Sequence, residues 1–267
     1  MTTNRLESES VPPIERDYKG NESKVLFSRL HHPEIKKQIY DLRFQLEKYW
    51  TEDGKEMNEK GEEVWPADEY APTYEQLERQ FDAQLEGIER STDIRFGSEP
   101  WHTSEGGVAA FSIDPRTGKP FTTRQLSIIE AHEKGHIIRP YDGRQYDEYF
   151  LVGFDPSHVR ISSEDLLIVK RGLVRKGQSP EDIDDQAAQD TILSYLFSGC
   201  EIVERMNQLK NYFGFTANEL FTKEHLDIAR EHYIADTGMD NGMTYFFQAI
   251  TPEREEKFLE LVNTSGI

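Results

Sequence analysis

Cysteine is nearly absent. The 267 residues hold one, Cys200, which excludes an internal disulfide framework and any metal site built from several thiolates. The expected setting is reducing and intracellular, with a cytoplasmic location. Long apolar runs are missing as well. No stretch approaches the roughly 18–20 residues of a membrane helix, so no membrane partner is expected. The first ten residues are polar and lack the apolar stretch of a secretory leader. Positive charge is scarce. Lys and Arg total 31 against 50 Asp and Glu, a formal net charge of −19. Such a surface repels phosphate backbones, and nucleic acid is not an expected partner. Apolar residues make up 36% and aromatics 11%. That is below the usual apolar share, yet enough to fill a core.

Composition divides the chain into three. Residues 1–24, with Pro12 and Pro13 and few large apolar groups, read as a flexible arm, a candidate docking segment for a protein partner. Residues 25–90 read as an acidic helical extension. Within it Ile35, Ile39, Tyr40, Leu42, Phe44, Leu46 and Trp50 recur at helical spacing from Pro33 to Trp50. A second amphipathic pattern, with Tyr74, Leu77, Phe81 and Leu85 on one face, covers Thr73 to Ile88. Residues 51–90 carry 13 acidic and 4 basic side chains, which read as a solvated face. Residues 91–267 form the main domain. It opens with two strand-like stretches, Asp93–Phe96 and Gly107–Ile113, and is mostly helical from about Lys119 onward. The expected fold class is therefore α+β, mainly helical with a small sheet.

Chemistry concentrates in Phe121 to Pro140, FTTRQLSIIEAHEKGHIIRP. Thr122-x-x-Gln125 is a capping-box pattern at the right place to start a helix, and Pro140 discourages its continuation. His132-Glu133-Lys134-Gly135-His136 is an H-E-x-x-H. On a helix, histidines four apart project from one face about a turn apart, so both can bind one tetrahedral ion. Glu133 sits at the edge of that face, where it can take a proton from a metal-bound water. Lys134 is expected to point to solvent. Gly135 is expected to give room for close packing beside the site. A phosphate loop, a Gly-x-Ser-x-Gly elbow and a dinucleotide fingerprint are all missing.

The H-E-x-x-H, set on a capped helix just after a strand, resembles the zincin metallopeptidases. The resemblance covers a third to a half of the chain. It implies a zincin-like metallopeptidase domain over residues 91–267, a Zn2+ cofactor, and a strand at Val108 to Ile113 that lies across the site and pairs with the substrate backbone. It also implies hydrolysis of a peptide or protein substrate by a metal-activated water, with Glu133 as general base.

A catalytic zinc site needs a third protein ligand and an open position. Asp142 lies where the metzincin branch places its ligand, but Arg139 stands where that branch needs Gly for a sharp turn. Glu201 and Glu204 lie in a strongly apolar helical pattern from Asp185 to Phe213, where a carboxylate needs a partner. Glu201-Ile202-Val203-Glu204-Arg205 resembles the E-x-x-x-R variants of the gluzincin branch, which implies the set His132, His136 and Glu201. Ser198-x-x-Glu201 is also a capping box in its own right, which would give Glu201 a purely structural task. For an oxyanion donor the downstream half offers Tyr195, His225, His232 and Tyr233, with His232 or Tyr233 preferred. The other reading is a non-catalytic structural or interaction protein with a vestigial or structural metal site. The basic stretch Lys170 to Gly177 reads as the solvent side of a helix end.

Overall fold

The structure, a computed structural model, describes residues 22–53, 56–57, 63–64, 73–90, 94–97, 108–111, 113–114, 118–139, 141, 143–179, 183–240 and 242–267. The arm read at 1–24 lies outside these except for its last three residues, which begin a helix. Eleven α-helices occur among the described residues: α1 Glu22–Leu30, α2 Pro33–Asp53, α3 Tyr74–Arg90, α4 Thr123–Ile138, α5 Arg144–Leu151, α6 Ser163–Arg175, α7 Asp185–Leu196, α8 Gly199–Tyr212, α9 Lys223–Thr237, α10 Met243–Ala249 and α11 Glu255–Thr264.

The α+β expectation is corrected: the fold is all-helical. Extended backbone among the described residues is limited to two short pairings. Glu56–Met57 (β1) pairs antiparallel with Glu63–Val64 (β2), and Ile94–Gly97 (β3) pairs in parallel with Val108–Phe111 (β4). The described buried apolar side chains come from helices and the turns beside them. The physical reason is one of length and apolar content. Two strands of two or four residues cannot carry a hydrophobic face of their own, whereas the segments with 3.6-residue periodicity hold nearly all the large apolar groups. β4 lies beside α4. Ile113, expected to extend that strand, instead bridges to Pro120 and is exposed.

Helix α8 lies at the centre, packed by α1, α4, α5 and α7. Every residue from Glu201 to Tyr212 is buried. The helical pattern read from Asp185 to Phe213 is two helices, broken at Phe197–Ser198. The break lets α8 run close against α5. A Cβ on Gly199 would lie 2.9 Å from the Tyr146 backbone, and the Gly199 N–H donates to Asp147 Oδ1 at 2.5 Å. Leu26, Ile39, Phe81 and Met206 belong to one continuous core, so α1, α2 and α3 pack into the same body as α4 and α8.

A helix buried all round is normally apolar. α8 carries Glu201, Glu204, Arg205, Asn207, Gln208, Lys210 and Asn211 inside the protein. Partners on other helices meet several of these. Arg29 of α1 donates to Asn207 Oδ1, to Asn211 Oδ1 at 2.9 Å and to the Phe215 carbonyl at 2.6 Å. Burial, and then the nearby Arg139, push the Arg29 pKa down to about 9. Lys210 donates to the Ile267 carbonyl at 2.9 Å.

Two outcomes follow from this buried polar layer. Arg29→Met strands two buried amide acceptors and should lower unfolding stability by about 2–4 kcal/mol in chemical denaturation. Burial, and secondly Arg29, push the Lys210 pKa from 10.5 down to about 7. Between those values the unfolded chain binds a proton that the folded chain does not. Stability should therefore rise with pH across that window, by up to about 1.4 kcal/mol per unit. Denaturation curves of Lys210→Met, compared with wild type across that window, should lack this increment.

Candidate metal centre

Helix α4 begins at the capping box that its sequence announces. Thr122 Oγ1 accepts from the Gln125 N–H at 3.3 Å, and Gln125 Oε1 accepts from the Thr122 N–H at 2.8 Å. The helix then runs for 16 residues and sets His132 and His136 one turn apart. Ser198, which precedes α8, makes no side-chain cap bond. Glu201 is thereby not spent on a capping box, and it turns toward α4.

Three side chains converge there. The Nε2 atoms of His132 and His136 are 3.0 Å apart, with the rings edge to face and their centroids 4.7 Å apart. Glu201 Oε2 lies 3.5 Å from His132 Nε2, and Glu201 Oε1 lies 3.4 Å from His136 Nε2. This group could hold a metal ion. Its dimensions fit one: two ligand atoms at about 2.0–2.1 Å from a tetrahedral ion are about 3.3 Å from each other. The donor chemistry also fits, because two imidazoles and a carboxylate suit a divalent ion of intermediate softness.

The electrostatics bind the cluster to α8. Arg205, one turn beyond Glu201, donates to its Oε2 and, at 3.2 Å, to its main-chain carbonyl. Burial alone would raise the Glu201 carboxyl. The Arg205 guanidinium and hydrogen bonds from both histidines outweigh it and hold the group well below the usual carboxylate range. For His136, burial opposes charging. Hydrogen bonds with Cys200 and Glu201 prevail and raise its pKa to about 11. His132 Nδ1 is buried and has no hydrogen-bond partner among the described residues.

Glu133 is half-buried and has no hydrogen-bond or ion-pair partner among the described residues. Its charge is felt at the hydroxyl of Tyr195, in the last turn of α7. Burial of that hydroxyl and the Glu201 charge are the larger causes that raise the Tyr195 pKa, and a hydrogen bond to Glu201 adds to them. The residue as a whole is 58% exposed, so its ring reaches solvent while its hydroxyl faces the cluster. The Arg205 guanidinium lies 5.9 Å from the Tyr195 ring centroid.

Glu204, the alternative ligand, turns elsewhere. Both its oxygens accept from Arg139 Nη2 at 2.9 Å, and Oε2 accepts from Asn207 Nδ2 at 3.0 Å. Arg139 also donates to the Gly266 carbonyl at 2.9 Å. The Glu204 carboxylate lies flat against α4 at Gly135, where a Cβ would fall 1.8 Å from Oε2. Gly135 is therefore the residue that allows α4 and α8 to approach with a carboxylate between them. Arg139 sits just past the end of α4, and this buried pair fastens that end to α8.

The other expected residues are placed as follows. Asp142 lies outside the described residues. His232 is partly exposed beside Glu231 at 3.6 Å. Tyr233 is buried against Tyr212, with Glu22 and Arg124 acting on its hydroxyl. Neither is brought to the cluster; of the four candidates, Tyr195 is the one that interacts with Glu201. His225 caps α9 through Thr222 and packs on Phe213. Lys134 is corrected from solvent-facing to buried. α1 covers that side of α4, so the Lys134 ammonium pairs with Glu130 at 2.6 Å and lies 5.5 Å from the Phe27 ring centroid. Sequence reasoning missed Arg139 as the partner of Glu204. The only signal for it was a buried acidic residue on one helix and an Arg at the end of another.

Gly135→Ala should push α4 off α8. The expected result is a stability loss of about 1–3 kcal/mol in thermal or chemical unfolding, with weaker binding of a divalent ion in a metal titration. No protein-family model, curated protein or solved structure matches this chain, so its site is argued from its own geometry.

Proposed function

We propose that this chain is a zinc-dependent metallopeptidase of gluzincin-like type, with His132, His136 and Glu201 holding the ion and Glu133 acting as general base. One observation carries the reading: the two Nε2 atoms and the Glu201 carboxylate meet within 3.0–3.5 Å, with Glu133 next to His132 on the same helix. A bound zinc ion would lower the pKa of a bound water toward neutrality and polarise the scissile carbonyl. Glu133 is suited to take the proton of the attacking water and deliver it to the leaving amine, since it has no competing partner among the described residues. Tyr195 is the side chain able to donate to the oxyanion that develops on the carbonyl. Arg205 holds Glu201 in its ionised form and fixes its orientation. His136 and Glu133 are half-buried and Tyr195 is largely exposed, which leaves an edge that a peptide could reach.

A structural role for the same metal group is the second reading. It is favoured by the Arg205 contact, which already balances the charge of Glu201 and would let the cluster persist as a brace between α4 and α8.

The two readings separate on one substitution. Glu133→Gln should keep one metal equivalent and the unfolding midpoint while peptide hydrolysis falls by about 10²–10⁴. Unchanged hydrolysis, or none in the wild-type metal-loaded protein, contradicts the peptidase reading. His132→Ala should lose the metal in either case. Tyr195→Phe should lower kcat by about 10²-fold with KM nearly constant.

A further inference from the structure

Helix α6 and the start of α7 have no part in the metal centre, yet they carry a surface unlike the rest of the molecule. No residue of α6 is fully buried. Leu166 and Val169 rest on the core, while Leu167, Ile168 and Val174 are 48%, 37% and 40% exposed. Leu167, Arg171 and Val174 are spaced by four and three, and Ile168 and Arg175 lie beside them, so all five share one solvent-facing stripe. Lys170, Arg171, Val174 and Arg175 line an open groove of about 510 Å³ together with Ile183, which is buried. Lys170 is held by Asp185 at 2.6 Å, which ties α6 to α7 across the groove. Arg171, Arg175 and Lys176 have no hydrogen-bond or ion-pair partner among the described residues.

We propose that this groove docks an acidic segment of a partner protein that also carries apolar side chains. Charge complementarity argues for it. A chain with a net charge of −19 repels acidic partners everywhere except at such a cluster of cations, so the cluster selects where they land. Interleaving of cations with Leu167, Ile168 and Val174 suits a segment whose carboxylates and apolar groups also alternate. A lipid surface fits less well, because an interfacial helix keeps its cations on the face opposite its apolar stripe, and a groove does not match a flat bilayer. Nucleic acid fits less well still, since among the described residues no aromatic side chain lines the groove to stack on a base.

The test is fluorescence anisotropy of a labelled peptide with Glu and Leu at alternating positions, titrated with the 267-residue protein. Saturable, salt-sensitive binding is expected, weakened at least about tenfold by R171E/R175E. Val174→Ser should weaken binding about threefold or more by removing apolar contact. These side chains face solvent, so unfolding midpoints and metal content should not change. Three results overturn the proposal: no saturable binding, equal binding by wild type and R171E/R175E, or tighter association with phosphatidylserine vesicles than with the peptide. Concentration-dependent self-association abolished by R171E/R175E also overturns it, in favour of a second copy of this chain as the occupant.

Discussion

The structure depends on a charged helix placed where charge is least welcome. α8 is surrounded by other helices, yet two carboxylates, a guanidinium and an ammonium project from it into the interior. A buried charge without a counterpart is far more destabilising than any one contact is stabilising. The surrounding helices are therefore fixed by what they bring to α8: α1 brings Arg29, the end of α4 brings Arg139, and the middle of α4 brings two histidines. The arrangement specifies which face of each helix turns inward, which a purely apolar core would leave less sharply defined.

The metal group follows from the same requirement. Glu201 and Glu204 are three residues apart and point to neighbouring parts of one α4 face. The Glu204 end is closed by a permanent cation, Arg139, and lies flush against Gly135. The Glu201 end meets two imidazoles, a group that could hold a divalent ion, with Arg205 beside the carboxylate. One carboxylate thus anchors the helix pair and the other is available for chemistry. The division rests on the facing group: a guanidinium at Glu204 and a pair of imidazoles at Glu201.

Much of the site was legible because it is encoded locally. The spacing of His132 and His136, the Thr122–Gln125 cap and the glycine at 135 are short-range patterns, and a helix imposes their geometry. Glu201 could be chosen over Glu204 only by resemblance, because the two lie only about 60° apart around a helix axis that the sequence does not orient. What was misread depends on packing between distant segments. α1 lay partly in a stretch read as an arm, so the face it covers on α4 was taken for solvent and Lys134 was assigned outward. The sheet is smaller than a strand template suggests, because an apolar run such as Val108–Phe111 marks a strand without saying how many others pair with it. Tyr195 stands among four candidate donors in the sequence, and its approach to Glu201 depends on how α7 and α8 pack, which spacing alone does not give.

The central claim is that Glu201, and no other group, completes a ligand set with His132 and His136. X-ray absorption at the zinc edge, on protein loaded with one equivalent, tests it most directly. The account predicts two imidazole nitrogens and carboxylate or water oxygen at about 2.0–2.2 Å, and loss of the tightly bound ion in Glu201→Ala. A sulfur shell at about 2.3 Å, which would implicate Cys200, or an unchanged spectrum in Glu201→Ala, would contradict it.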